Sequence, residues 1–547
     1  MRAACSDSSA TTPLWRQRLA VRFSDSPLAL PTQVDLTTCL LLTPFVESLS
    51  LEQDPRVLRP QSTPRRDPLL VEVEFANRSI RYLLAERSFD KIDIFEQRSS
   101  VGGTWNYSPS SSKIGRSTSV PHLDPHEPVE QPIWIKQPDG RREAVFVSPL
   151  YDQLETNIPK ELMRYSDLSF PADCQLFPPH HAVKQYLEDY SQETKSLIQF
   201  ETQVVNVKLK DPRLSTWDLT TKSLHTGADS TATYDAVVVS SGHYAVPHLP
   251  EIPGIEIWDK ENPGAISHSK FYDSPDPFRG KKVLVVGNSA SGLDIGAQIG
   301  TVSKGKVLVS QKSESYLAVS APSDRIIYPE VVEFLPFATH NKGIRFSDGR
   351  IEEAVDAILF CTGYFYSYPF LESLNPPVVT HGWRTREVYQ QLFYIHHPTL
   401  VFPGLAQRVI PFPVAENQAA VFSRMWSGRL QLPPKAEMQT WEQAEVLQKG
   451  DGKGFHLLNF PLDAEYLTLL YDWAASAEPR PGLENHGQGK YGTHWGGRER
   501  WMRARFPEIR RAFVQKGDQR SQIKTLDELG FSFEAWKQEQ GPNRCSL

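Results

Sequence analysis

An α/β fold built on two dinucleotide-binding, Rossmann-like units is predicted by three observations in this sequence. The first is the run Lys281 to Gln298, KKVLVVGNSASGLDIGAQ. Val283 to Val286 is apolar without polar interruption, as a strand covered on both faces of a parallel sheet reads. It breaks at Gly287-Asn288-Ser289-Ala290-Ser291-Gly292, and Leu293, Ile295 and Ile299 follow at the spacing of one helix face. Gly287, Ser289 and Gly292 occupy the three positions of the G-x-G-x-x-G fingerprint, with serine replacing the middle glycine. Such a turn lets phosphates approach backbone N–H groups at the positive end of the helix dipole. The second observation is Lys91 to Glu96, KIDIFE, a strand ending in a carboxylate that can accept from both ribose hydroxyls of an adenosine. Behind it, Gly102 and Gly103 in Val101-Gly102-Gly103-Thr104-Trp105 allow main chain to run close to a diphosphate. The third is a matched pair, YDAVVVSSGHY from Tyr234 and VDAILFCTGY from Val355. In each, an acid precedes an apolar strand that ends in small residues, as where a sheet terminates against a bound cofactor.

In chain order, residues 1–68 carry Ser, Thr, Pro and Arg without a sustained period and read as an irregular or disordered extension. LLVEVEF from Leu69 alternates like an edge strand, and Ile80 to Glu86 has helical spacing. Leu150 to Phe170 holds a turn at Asn157-Ile158-Pro159 between helical segments, and Phe177 to Tyr190 reads as a helix. After the glycine turn, the strand of Lys306 to Ser313 ends in Ser310, Gln311 and Lys312, where an acid would favour NAD. Hydroxyl and cationic groups there suit a 2′-phosphate, so this site favours NADP. Thr399 to Phe402 is strand-like, and the tail from Pro434 is helical, charged and Trp-containing.

Bulk properties exclude several classes. The 547 residues suffice for two or three domains. With 39% hydrophobic residues and a net charge of -6, there is no basic excess for nucleic acid. Cys5, Cys39, Cys174, Cys361 and Cys545 form no C-x-x-C pair, which argues against a disulfide framework, a metal site or a dithiol redox centre and suits a reduced, cytoplasmic setting. No apolar run approaches the roughly 18 residues that span a bilayer.

With Glu96, Gly102 to Trp105, Asn157-Ile158-Pro159-Lys160, Ser267-His268-Ser269, the 287–292 turn and Thr362-Gly363-Tyr364 in this order, the chain strongly resembles the flavin-containing monooxygenases, particularly those of fungal type. The family motif F-x-G-x-x-x-H-x-x-x-[YF] reads Asn262, Gly264, His268 and Tyr272, with Asn in place of the leading aromatic. The resemblance runs from about Ile80 to the C-terminus. It implies an FAD domain split by an inserted NADPH domain, here 69–250 and 351–547 around 251–350. It also implies a C4a-(hydro)peroxyflavin that passes one oxygen to a soft nitrogen or sulfur nucleophile, as in N,N-dimethylaniline-type monooxygenases. The partners implied are a small nucleophilic substrate and O₂, and the family admits a homodimer. Asn157 matches the active-site asparagine near the flavin. Thr156 and Gln418 match flavin-contacting positions, and Glu96, Gln97, Gly102 to Trp105 and Thr362 match positions around FAD. The 287–292 turn with Ser310 and Lys312 matches the NADPH site.

The pattern breaks upstream of Ile80. The glycine positions of the FAD turn fall at Val71, Val73 and Ala76, and only Ala76 is small enough. The Cβ branches of Val71 and Val73 would close the turn on the diphosphate, so poor FAD retention is expected, with a mispredicted or divergent start of the coding sequence as its origin. Two other readings compete. A Baeyer–Villiger type oxygenase of the same cofactors is disfavoured by Tyr272, where that group carries Trp. A catalytically inactive nucleotide-binding remnant is favoured by the lost glycine turn.

Overall fold

A computed structural model of the chain describes residues 68–71, 76–108, 110–113, 118–315 and 325–540. Of the extension expected over 1–68, residues 1–67 lie outside the described residues, as does the turn position Val73, while Pro68 opens a strand.

Two sheets organise the fold. In the first, seven strands run in the order 388–389, 393–394, 400–401, 236–239, 68–71, 93–95, 198–199. Pairing is parallel from 400–401 through to 198–199, and antiparallel among 388–389, 393–394 and 400–401. The strand Pro68–Val71 has parallel partners on both sides, Leu69 facing Asp93 and Val237. This corrects the edge strand read from its alternation. Only four residues pair, too few for a period to report position, and its partners come from distant sequence. Helix Ala76–Glu86 follows, burying Ile80, Tyr82 and Leu83, and packs on the almost wholly buried helix Pro411–Trp426. An antiparallel three-stranded meander, 202–211, 216–223 and 229–234, leads into Ala236–Val239.

The second sheet is fully parallel, in the order 266–268, 357–360, 283–286, 307–310, 325–328. Its uninterrupted apolar runs are explained by two covered faces. Leu284, Leu308, Ile358 and Phe360 join one core cluster, while Val283, Val285, Val309 and Leu359 join another with Ile295 and Ile299 of helix Ala290–Gly300. The strand Ala357–Phe360 is an interior strand of this sheet, so the division expected at 350 falls before the sheet is complete. Sequence order concealed this, because the strand arrives after an antiparallel ribbon of 331–334, 344–346 and 351–352.

Helices of the tail pack back onto the first sheet's core, with Trp501, Met502, Ile509 and Phe513 in the cluster that contains Ile80 and Val238. Among the described residues, no helix is long and apolar enough to cross a membrane.

Candidate functional site

The glycine turn is closed by backbone packing. Gly287 has φ +107°, and a Cβ there would lie 2.6 Å from the Cys361 carbonyl oxygen; a Cβ on Gly292 would lie 2.0 Å from the Gly287 oxygen. Strand Val283–Val286 thus turns at Gly287, Asn288 and Ser289 into helix Ala290–Gly300, whose first amides no side chain caps. Ser289 is exposed, Ala290 and Ser291 are half-buried, and uncapped amides at a helix N-terminus attract an anion. The amide of Asn288 donates to Gln311 Oε1 at 2.8 Å and to the Ser313 carbonyl at 2.7 Å, pinning the turn to the segment after strand 307–310. Of the polar groups expected around a 2′-phosphate, Lys312 is exposed, with Nζ 3.1 Å from Glu330. Ser310 differs from expectation. It is still paired in the strand and buried, and its hydroxyl donates to the Pro329 carbonyl at 2.9 Å.

A second cradle forms at the end of strand Asp93–Phe95. Glu96 is buried there and its Oε1 accepts the Arg98 N–H at 2.7 Å, while Gln97 accepts from Gln203 at 2.9 Å. Gly102 needs its φ of +108° to turn the chain into the short helix Gly103–Trp105. Lys184, which no motif signalled, holds this loop by donating to the Val101 carbonyl at 2.6 Å and the Ser100 hydroxyl at 3.0 Å. Glu96, Gln97, Gly103, Thr104, Ser241 and Tyr244 line one polar cleft. The hydroxyls of Ser240 and Ser241, at the end of strand Ala236–Val239, are buried without a protein partner. Unsatisfied hydroxyls beside a carboxylate and a glycine loop fit a dinucleotide cofactor rich in hydrogen-bonding oxygens.

The Asn157 turn neighbours the second cradle. Trp105, Ile158 and Phe412 pack in one cluster, which brings the glycine loop beside the Asn157 turn. Thr156 is buried, its hydroxyl donating to the Ile158 carbonyl at 2.9 Å and its N–H to the Pro178 carbonyl at 2.9 Å. Lys160 is buried as well, donating to the Ala172 carbonyl at 3.1 Å and to the Pro171 and Cys174 carbonyls. Asn157 is half-buried, and among the described residues no hydrogen bond holds its side-chain amide.

The linker, residues 262–272 ahead of strand Val283–Val286, and the end of strand Ala357–Phe360 carry the remaining polar ties. His268 Nδ1 accepts the Lys270 N–H at 3.1 Å, so Nε2 carries the proton and donates to the Gly363 carbonyl at 3.1 Å. Burial pushes this imidazole down to about 3, keeping it neutral. The Thr362 hydroxyl donates to the His248 carbonyl, and its own carbonyl accepts Lys453 Nζ at 3.2 Å. Both polar groups of Thr362 therefore tie chain to chain. Gln418 departs further from its expected flavin contact. It is fully buried in helix Pro411–Trp426, its oxygen accepting from Gly404 N at 2.9 Å and its NH₂ donating to Gln391 O at 3.2 Å and Tyr466 OH at 2.9 Å. Its polar atoms are already satisfied by the core.

The family described as Flavin-binding monooxygenase-like matches residues 139–335 and 327–484. Flavin-containing monooxygenase FMO GS-OX4 of Arabidopsis thaliana is 31% identical over 446 residues, 78% of this chain and 84% of the relative. Thiol-specific monooxygenase of Saccharomyces cerevisiae is 32% identical over 351 residues, 60% of this chain and 70% of the relative. The structure of S-allyl-L-cysteine S-oxygenase from Allium sativum superposes with a TM-score of 0.66 at 26% identity, covering 87% of this chain and 98% of that one.

Proposed function

Because the chain belongs to the Flavin-binding monooxygenase-like family and is a flavin-dependent monooxygenase with FAD and NADPH as cofactors, we propose that it oxygenates a small soft nucleophile, sulfur before nitrogen. The preference for sulfur is supported by relatives named as a thiol-specific monooxygenase and an S-oxygenase. When bound, the flavin would supply activation of O₂ with NADPH as reductant, so that NADPH, H⁺, O₂ and the nucleophile give NADP⁺, water and the oxygenated product.

The chain's own residues are assigned as follows. Glu96 accepts from the adenosine ribose of FAD, and Gly102 to Trp105 let main chain pass along the cofactor. The uncapped start of helix Ala290–Gly300 holds the NADPH diphosphate, and Lys312 pairs with the 2′-phosphate. Asn157 offers an uncharged amide, able to orient oxygen species without supplying an acidic proton. The supporting observation is that this amide is held by no described protein group while both flanking residues are fixed by their neighbours. The expected 69–250, 251–350 and 351–547 division is proposed here with its second boundary moved beyond Phe360, since strand Ala357–Phe360 pairs with Val283–Val286. A reduced, cytoplasmic setting is proposed with it, from five cysteines that form no C-x-x-C pair.

The test is a side-by-side assay of a thioether, N,N-dimethylaniline and a cyclic ketone with NADPH and added FAD. The expected products are sulfoxide first, N-oxide second and no ester. Ester from the ketone alone would assign a Baeyer–Villiger activity instead, and NADPH left unconsumed with all three substrates would favour the inactive reading. Asn157→Ala is expected to lower sulfoxide formation at least tenfold, a transition-state loss of about 1.4 kcal/mol or more. Unchanged product formation removes Asn157 from the site.

A further inference from the structure

The segment carrying Asn157 is anchored at two points. At one, the buried Tyr151 donates its hydroxyl to Asp294 Oδ2 on helix Ala290–Gly300, just past the glycine turn. Gln298, one helical turn further along, donates to the same oxygen at 3.1 Å and accepts from Tyr272 OH of the linker at 2.9 Å. The Tyr151 and Tyr272 rings meet edge to face, centroids 5.4 Å apart. The nucleotide-turn helix therefore presents a polar pair, Asp294 and Gln298, to two tyrosines of which only Tyr151 continues into the Asn157 segment. At the other point, Glu155 accepts from Arg520 Nε at 3.1 Å and from Gln175 Nε2 at 3.1 Å, and pairs with Arg510 at 3.6 Å. Both arginines belong to the C-terminal region, Arg510 within helix Phe506–Gln515. Between the two anchors the backbone is tied by the Asp152 N–H to the Asp273 carbonyl at 3.1 Å and by the His180 N–H to the Leu154 carbonyl at 3.0 Å. None of these residues belongs to the nucleotide turn or to the loop around Glu96.

We propose that Tyr151 and Asp294 are positioning residues: their hydrogen bond sets Asn157 at a fixed place relative to nucleotide bound at the Gly287 turn, with Glu155 and its arginines as the opposing anchor. The inference rests on the assignment of that turn to NADPH and of Asn157 to the oxygen-handling site. Its physical basis is that a helix and a short tied segment are stiff, so a bond between them transmits placement over six residues; without it the segment keeps its ties to Asp273, Pro178 and the arginines but loses its side-chain bond to the nucleotide-turn helix, and can shift against that helix by the ångström that orientation at a reacting centre does not tolerate. The bond works in both directions. Nucleotide that orders the helix start orders the Asn157 segment, and loss of the bond separates the two. A misplaced Asn157 lets reduced flavin and O₂ react unproductively, in the sum NADPH + H⁺ + O₂ → NADP⁺ + H₂O₂, with hydride and proton both ending on oxygen.

The test uses the full chain and NADP⁺ as the probe. Tyr151→Phe keeps the ring against Tyr272 and removes only the donor hydroxyl, Asp294→Leu is close in volume and removes the acceptor, and Tyr272→Phe removes a neighbouring hydroxyl bound to the same helix as a control. Hydrogen exchange over residues 151–160, with and without NADP⁺, is read beside NADP⁺ affinity and, with FAD added, H₂O₂ released per NADPH consumed. Y151F and D294L are each expected to bind NADP⁺ within about threefold of the starting protein, to lose the NADP⁺-dependent protection of 154–160, and to release several-fold more H₂O₂. Combining them is expected to cause no further loss of protection or coupling, since both remove the same bond. Y272F is expected to keep both protection and coupling. Should Y151F misfold, D294L carries the same comparison. Protection and coupling retained in the variants, or effects that simply add in the double variant, overturn the proposal while NADP⁺ still binds. Failure of the starting protein to bind NADP⁺ overturns the nucleotide assignment and this link together.

Discussion

Gly292 leaves no room for a methyl group, since its Cβ would sit 2.0 Å from the Gly287 oxygen, whereas Gly296, four residues on in the same helix, meets nothing within 4 Å. The two glycines therefore predict opposite outcomes. Gly292→Ala must push the turn apart, costing about 1–3 kcal/mol and weakening NADP⁺ binding at least tenfold. Gly296→Ala should stabilise by roughly 0.5–1 kcal/mol through helix propensity and leave nucleotide affinity alone. Urea unfolding and NADP⁺ titration of both variants check this, and equal stability of the two would remove the tight turn. Lys312→Ala, at an exposed cation, should raise the KM for NADPH roughly tenfold, the scale of one charge-assisted contact, with no change for NADH. Steady-state kinetics with both nucleotides decide it. At this scale the sequence is legible where a residue type is demanded by backbone, as at Gly287 and Gly292, and opaque where direction decides. Ser310 and Gln418 have plausible chemistry, but one is bound to the Pro329 carbonyl and the other is satisfied by Gly404, Gln391 and Tyr466. Tyr151, Asp294 and Lys184 carried no motif, because their partners lie up to 143 residues away.

Elements were legible in proportion to length and burial. Ala236–Val239 and Ala357–Phe360 show as apolar runs bounded by an acid and by small residues, and both are interior strands, although of different sheets. Membership of a sheet is not written in a strand of four residues; it is set by partners such as Val283–Val286 for one and Pro68–Val71 for the other. The strand Pro68–Val71 was the hardest to place for the same reason. Its interior position beside Asp93–Phe95, with helix Ala76–Glu86 following, is the layout of the first unit of a dinucleotide fold. Val71 closes that strand and Ala76 opens the helix, and the remaining expected glycine position, Val73, lies outside the described residues. Val71→Gly with Val73→Gly is therefore expected to raise the flavin retained through purification at least about twofold, read from flavin absorbance per chain. A starting protein that already purifies with stoichiometric flavin would show that the valines do not obstruct the cofactor.

Across the whole molecule, the strand ends that face the site are surrounded by imidazoles kept from charging. Burial pushes His243 down to about 4 and His248 and His268 to about 3, and His456 is also lowered, burial again leading. His243 meets the rings of Tyr244 and Tyr366 at a tilt, centroids 4.4 and 4.9 Å away, and its Nε2 is buried without a partner. In the unfolded chain each imidazole takes a proton near pH 6.5. Between that value and about 4, the unfolded state therefore binds more protons than the folded one, so stability falls as pH falls. Each such histidine contributes about 1.4 kcal/mol per pH unit within the window, and the loss ends once the folded state can itself be protonated. The protein is expected to show a steep fall in Tm from pH 6.5 to 4.5. His243→Phe, which keeps a ring between the tyrosines and removes both the titration and the unpaired nitrogen, should flatten that fall and be more stable than the starting protein at pH 5. Tm measured across the range for the two proteins gives the result, and identical slopes would mean that His243 is free to charge in the folded state.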